Sequence, residues 1–330
     1  MKQAILAALA VAVLWTALPL LLASAQAPAG HAAAAAETGP AGTEETSPAS
    51  EPETQASFDE GFLLAVQTPD GVREMDLQNY LTGALLAEMP ARFAPEAKKA
   101  QAVAIRTYAL RACSSGRHPD AAVCTDSACC LGWKDPAEAP AEARAAALDA
   151  VRATDALTVC YRGELIDATF FSCSGGRTEA AAAVWGSDLP YLQAVDSPGE
   201  EDAPHDTDRV AVDLEEFCAR LRREDPQVCF PEAVGAWVGA LTRTAGGGVD
   251  RIELGGRVFT GKQLRKLFSL RSTAFTLELG ETQAVFTTRG YGHRVGLSQY
   301  GAEAMAKAGK GFEEILLWYY QGVALRRADE

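Results

Sequence analysis

Positive charge is scarce in this chain of 330 residues: 30 Lys and Arg stand against 44 Asp and Glu, a formal net charge of −14. That balance excludes a general nucleic-acid binder, which needs a basic face for the phosphate backbone. Cysteine is also sparse, eight in all, too few for a small domain stapled by disulfides. No internal repeat is visible, which removes solenoids and propellers. Long apolar runs are confined to one, Ala4 to Ala23, so a polytopic membrane protein is excluded as well.

What is present divides the chain early. The apolar run is uncharged and preceded only by Lys2, the pattern of a secretory signal peptide or an uncleaved membrane anchor over residues 1–27. Ala25-Gln26-Ala27 fits a small-residue cleavage site, yet about twenty apolar residues also suffice to span a bilayer. Either way the chain is expected to be exported. Residues 28–57 contain no Val, Ile, Leu, Met, Phe, Tyr or Trp and cannot bury a core, so a disordered Ala/Pro/Glu linker is expected there. Seven of the acidic residues lie within residues 1–60, and the remainder of the chain is closer to neutral.

Apolar spacing after Asp76 predicts a helix from Leu77 to Glu88, with Asp76 as N-cap and Pro90 as its stop. Pro95 suits the first turn of a second helix running to about Arg111. Residues 156–161 and 165–172 read as a hairpin about Arg162-Gly163, a register that places Cys160 opposite Leu165 and away from Cys173. Further short strands are expected at 251–254, 257–260, 274–279 and 284–288, and two closing helices at 298–308 and 312–320. This mixture lacks a regular βαβ rhythm. The fold class expected is α+β, with helices flanking short-stranded antiparallel sheets around a central cleft.

Glu88 is the position chosen for chemistry. A carboxyl at a helix C-terminus faces partial negative charge, which raises its pKa and suits a proton donor near neutral pH; an ordinary solvated helix Glu is the plainer alternative. Arg106, set among Ala and Val, reads either as a structural ion pair or as a partner for an anionic ligand. His118, Cys124 and Cys130 fall at intervals of six, with Cys129 adjacent. This is not a zinc-finger spacing, and a disulfide using Cys113 or Cys129 is the alternative in an exported chain. Cys218 and Cys229 are a second candidate disulfide.

The segment LQNYLTGALLAEMPARFAPEAKKAQAVAIRTYAL (77–110) resembles the signature of the SpoIID/LytB family. The likeness continues in AVWGSDLPYLQAVDS (183–197), LRSTAF (270–275) and GYGHRVGLSQYGAEAMAKAGKGFEEILLWYYQGV (290–323). It covers most of residues 58–330, leaving 208–248 as a weakly matched insert in one catalytic domain. Where the family usually reads GHGVGMSQ, this chain has Arg294 for the second Gly and Leu297 for Met.

The resemblance implies a peptidoglycan lytic transglycosylase that cleaves MurNAc–GlcNAc bonds of peptide-stripped glycan strands, leaving 1,6-anhydroMurNAc ends, in septal wall remodelling and engulfment during sporulation. Glu88 would be its catalytic acid, with Asp167 or Glu179 as a candidate helper. It also admits a non-catalytic wall-binding protein that enhances an N-acetylmuramoyl-L-alanine amidase. Substrate contacts are expected from Gln101, Arg106, Ser174, Gly175, Thr178, His293, Ser298, Gln299 and Tyr300, with Arg106, Lys98 or Arg294 making the cleft basic beside Glu88. A zinc site near the cleft is implied at His118, Cys124 and Cys130 (Cys129 as substitute), with an open position for water. The partners implied are glycan strands, an amidase and other wall-remodelling or engulfment proteins, and the membrane if the leader is retained.

Overall fold

The computed structural model describes residues 56–330. The leader expected at 1–27 and nearly all of the expected linker lie outside the described residues. Among the described residues, no helix is long and apolar enough to cross a membrane.

The chain enters through a single turn, α1 (Phe58–Gly61), and a hairpin of β1 (Leu63–Thr68) and β2 (Gly71–Asp76). The hairpin delivers Asp76 to the start of α2 (Leu77–Glu88), where its carboxylate accepts from the Asn79 N–H at 2.8 Å. Pro95 opens α3 (Pro95–Ala112) as expected of a residue with no N–H to leave unpaired. An irregular stretch follows, pinned by β3 (Val123–Cys124), which pairs in parallel with β1, before α4 (Ala141–Arg152).

Next come β4 (Leu157–Tyr161), β5 (Glu164–Leu165), β6 (Phe170–Phe171) and α5 (Ala181–Trp185). Cys160 does pair with Leu165. The hairpin is shorter than expected, however, because Phe170–Phe171 leaves it to pair in parallel with β13 (Leu297–Ser298). The segment between them holds β7 (Thr207–Asp213), α6 (Leu214–Glu224), β8 (Val238–Arg243), β9 (Val249–Leu254), β10 (Arg257–Thr260), α7 (Gly261–Leu267), β11 (Phe275–Leu279) and β12 (Gln283–Arg289). After β13, α8 (Gln299–Lys307) and α9 (Phe312–Tyr319) precede β14 (Ala324–Arg327), which closes on β4. Among the described residues, five small sheets of two or three strands between helices make the α+β class expected. They are antiparallel except for the β1–β3 and β6–β13 pairs.

Three apolar cores explain the arrangement. One joins β1, β2, α2, α3 and α4; a second joins the opposite face of α3 to β4, α8 and α9. Buried on both sides, α3 needs small residues all round, hence its run of alanines. The third core lies within residues 210–286, where Phe217, Phe268, Phe275 and Phe286 cluster. The expected insert at 208–248 is therefore only part of a larger unit with its own core. Cys218 faces that core while Cys229 is exposed, and all eight cysteines are free, so the expected Cys218–Cys229 disulfide is not formed.

Candidate active site

Glu88 ends α2 half-buried, and two distant segments hold it. Its Oε1 accepts a 2.7 Å hydrogen bond from the Gly132 N–H, and its backbone carbonyl accepts from Gln299 Nε2 at 3.0 Å. Burial raises the Glu88 pKa against the opposing pull of the Gly132 bond. The direction is the one expected from sequence, but desolvation, rather than the helix dipole, is the cause. A Cβ at Gly132 would lie 3.2 Å from Glu88 Oε1, so this glycine lets the backbone donor approach the carboxyl closely.

Glu88 also forms the shared wall of two recesses. One, of ≈ 850 Å³, is lined by Met89, Trp133, Lys134, Asp135 and Glu138 among others. The second, of ≈ 480 Å³, is lined by Tyr108, Arg117, Asp167, Thr169, Trp185 and His293. Trp185 and His293 in turn border a third recess of ≈ 380 Å³, with Lys262, Arg265 and Lys266. Through these shared residues the three recesses adjoin in a row, a trough with Glu88 between the first two.

Several expected contacts face elsewhere. Arg106 is wholly buried, its guanidinium on Asp59 at 2.9 and 3.1 Å and on the Val151 and Leu157 carbonyls. It joins α1, α3 and α4, and removing one member of such a buried pair costs about 3–5 kcal/mol. Gln101 is buried on α3, away from the trough. Lys98 donates to the Ala91 carbonyl at 2.6 Å and does not line the trough either. Ser174 is buried, its Oγ and N–H on the Glu200 carboxylate; Thr178 is buried against Val195; Gly175 (φ +71°) backs onto Gly290, where a Cβ would meet the Gly290 nitrogen at 2.7 Å. Ser298 is buried as the N-cap of α8. Ser174, Gly175, Thr178 and Ser298 are scaffold positions because turns and caps consume their polar groups, whereas the buried Gln101 amide has no hydrogen-bond partner among the described residues.

Arg294 is a sharper correction. It adopts φ +66°, the left-handed region where the family's glycine is at ease. Its side chain points inward, bonding the Ser174, Arg177 and Gly246 carbonyls and facing Glu179 at 3.4 Å. Glu179, also buried, accepts from the Gly248 N–H and Thr244. Neither Arg294 as a cleft cation nor Glu179 as a helper reaches the trough: both are buried, Arg294 on three carbonyls and Glu179 through Oε1 alone, its Oε2 having no hydrogen-bond partner among the described residues.

Of the other expected residues, His293 and Asp167 line a recess with Glu88, while Gln299 and Tyr300 line none of the three. His293 sits between Phe171 and Trp185, its Nδ1 accepting from the Val295 N–H at 3.1 Å. Burial, and secondarily Arg265, holds its pKa down at about 4, so it is neutral near pH 7. Gln299 positions Glu88 through the backbone. Tyr300 packs edge-on against Phe93, and its hydroxyl accepts from Arg92 at 3.3 Å. Asp167 lines the same recess as Glu88. Sequence reasoning missed Arg117 and the α7 cations, which no local pattern marks and only the tertiary fold delivers, and gave no role to Trp185 although it lies in the resembling segment 183–197.

The ligand atoms of His118, Cys124, Cys129 and Cys130 all lie within 4.8 Å of one another. Cys124 is fixed on β3; the Asp126 carbonyl accepts from the Cys129 and Cys130 N–H groups, setting the turn that brings both thiols back. His118 Nε2 stands 3.3 Å from Cys130 Sγ and 3.8 Å from Cys129 Sγ. A tetrahedral zinc with thiolates at about 2.3 Å sets donor separations of about 3.8 Å, so this one-imidazole, three-thiol set fits the ion. Gly132, the donor to Glu88, follows Cys130 by two residues.

The family description "SpoIID: Stage II sporulation protein" matches residues 67–161. Stage II sporulation protein D of Bacillus subtilis (strain 168) is 34% identical over 268 residues, covering 78% of this chain and 76% of that protein. Its counterpart from Bacillus amyloliquefaciens matches with the same identity and coverage. An amidase enhancer of Bacillus subtilis (strain 168) is 25% identical over 296 residues, covering 74% of this chain and 40% of the enhancer.

Proposed function

This chain belongs to the SpoIID family of stage II sporulation proteins, and from that premise we propose that it is a peptidoglycan lytic transglycosylase working on the cell wall during sporulation. One observation carries the reading: a half-buried carboxyl with a raised pKa stands between two adjoining recesses. Glu88, protonated, gives its proton to the glycosidic oxygen between MurNAc and GlcNAc as the C1–O bond breaks. The resulting carboxylate takes the proton of the MurNAc C6 hydroxyl as that oxygen bonds to C1. The product is a 1,6-anhydro ring, no water is consumed, and one carboxyl serves both transfers. The Gly132 N–H stabilises the charged form between them and fixes its direction.

His118, Cys124, Cys130 and Cys129 would hold a zinc ion. With four protein donors no coordination position is left for water, so the ion would supply a cross-link rather than a Lewis acid. What it would hold in place is the turn leading to Gly132. Export, supported by the Ala4–Ala23 run, would bring the chain to its substrate.

Mass spectrometry of material released from amidase-stripped glycan strands tests the reading. The native protein should release anhydro-ended fragments and Glu88→Ala none; anhydro ends from the variant would sink the mechanism. The amidase-enhancer relative favours a second reading, a wall-binding protein that stimulates an amidase. Under it, no anhydro ends form and Glu88→Ala keeps full amidase stimulation. For the metal, elemental analysis should find one zinc per chain, and a chelator should lower the melting temperature; a metal-free protein melting identically would remove zinc from the account.

A further inference from the structure

Charge is graded along the trough. The recess on one side of Glu88 adds Asp135 and Glu138 against a single cation, Lys134. The recess beyond Trp185 and His293 is lined by three cations, Lys262, Arg265 and Lys266, and by no acid. Among the described residues none of the three has a carboxylate within salt-bridge distance, although the chain carries a large acidic excess. Lys262 Nζ rests on the Val184 carbonyl and Arg265 Nε on the Leu270 carbonyl at 3.3 Å. Both are thereby oriented with further N–H groups uncommitted. Lys266 is exposed, and the Ser269 and Thr273 hydroxyls share the wall.

Like charges gathered in one recess without a paired acid make a positive site that favours an anion, although Lys262 and Lys266 are exposed and their repulsion is screened. A guanidinium with its Nη groups free binds a carboxylate in two-point fashion, which a lone ammonium cannot do. The recess is small and adjoins the one bordered by Glu88, with Trp185 and His293 as the wall common to both. A sugar acid lying along the trough could therefore place its ring near Trp185 and its carboxylate on Arg265.

We infer that the Lys262–Arg265–Lys266 recess is a carboxylate subsite, which takes the free lactyl group of a peptide-stripped MurNAc residue and so selects stripped over uncharged glycan. This rests on the proposed glycan substrate and deepens it. The unit holding these residues has its own core, so the selecting wall and the acid belong to separately packed parts of the molecule. A stem peptide would cap the lactyl carboxylate as an amide and remove the charge that the recess recognises.

Binding measured by calorimetry tests this without turnover. The ligands are amidase-stripped glycan oligosaccharides and chitin oligosaccharides of equal length, which lack the lactyl group. The native protein should prefer the stripped glycan at least about tenfold, the scale of one charge-assisted pair. Arg265→Ala with Lys266→Ala should erase the preference while leaving chitin affinity unchanged, and Arg265→Lys should restore part of it. Lys266→Ala alone, at an exposed side chain, should lower the preference without unfolding the protein. Equal losses for both ligands, or no loss, would overturn the subsite. A glycerol-phosphate polymer that displaces stripped glycan more strongly than stripped glycan itself would overturn the carboxylate assignment. The tests separate: absence of anhydro products with the preference intact refutes the transglycosylase alone, whereas cleavage with an unchanged preference in the double variant refutes the subsite alone.

Discussion

Two motif regions, the end of α2 and the loop from Gly290 to Gly296, both carry a charged side chain where the family resemblance pointed to function. At the first the charge faces the trough; at the second it is buried against Glu179 and three carbonyls. The difference lies in the backbone. Glu88 ends a helix whose next residues turn away at Met89-Pro90, leaving its side chain at an edge. Arg294 has left-handed φ between two glycines and is turned inward. A motif marks that a position is constrained, and local geometry decides whether the constraint serves chemistry or packing.

The widest separation between the two regions is expected from Glu88→Gln. Glycan cleavage should fall by up to about 10⁴-fold, the upper range for a lost general acid, with no loss of stability. Burial raises the Glu88 pKa, so the native state binds its proton more tightly than the unfolded chain. Its stabilising contribution is full below the unfolded value and fades as pH rises through the folded one. Gln carries no such charge, so at neutral pH the variant should melt at the same temperature as the native protein or higher. A lower melting temperature would break the comparison.

Arg294→Gly should do the reverse. It relieves the left-handed backbone but leaves Glu179 buried without its cation, at a cost of about 3–5 kcal/mol. Chemical denaturation should register that loss, while residual activity of the folded fraction stays near native. If the glycine variant is as stable as the native chain, the inward ion pair contributes nothing.

Gly132→Ala is a smaller change at the same site as Glu88. The added Cβ presses on Oε1, and a displaced carboxyl should lower kcat about tenfold with KM unchanged. Smallest is the effect at His293, whose pKa is held down at about 4. The neutral ring's contribution is present above the unfolded pKa and is lost as pH falls through the folded one. His293→Gln should therefore flatten the acid limb of the stability profile between about pH 6.5 and 4. An unchanged limb would locate the acid sensitivity elsewhere.

Local signals were legible in the sequence. Asp76, Pro90 and Pro95 bound two helices by capping and by a missing N–H, and Arg162-Gly163 set the Cys160–Leu165 register. Glu88 emerged from the same helix end. Residues 207–289 were harder, because their strands are short and pair across long separations, as β12 does with β7. Arg106 and Ser174 were read toward the cleft since burial cannot be told from a polar residue's identity. Arg117 and the α7 cations reach the trough only through tertiary packing. Of the four metal-type ligands, the spacing offered Cys129 and Cys130 as alternatives, whereas the Asp126 turn brings both to one point.

The two hydrogen bonds that hold Glu88 come from Gly132, 44 residues downstream, and from Gln299, 211 residues away. A chain made from its N-terminus therefore completes α2 long before the bond from α8 can form, and non-local contacts are the slow ones to close. The second anchor of the acid is therefore expected to form late. Refolding followed by activity should accordingly lag behind recovery of helical signal; cleavage appearing with the earliest helix would contradict this order. Until its far end has arrived and packed, a partly made copy holds its carboxyl by one anchor instead of two.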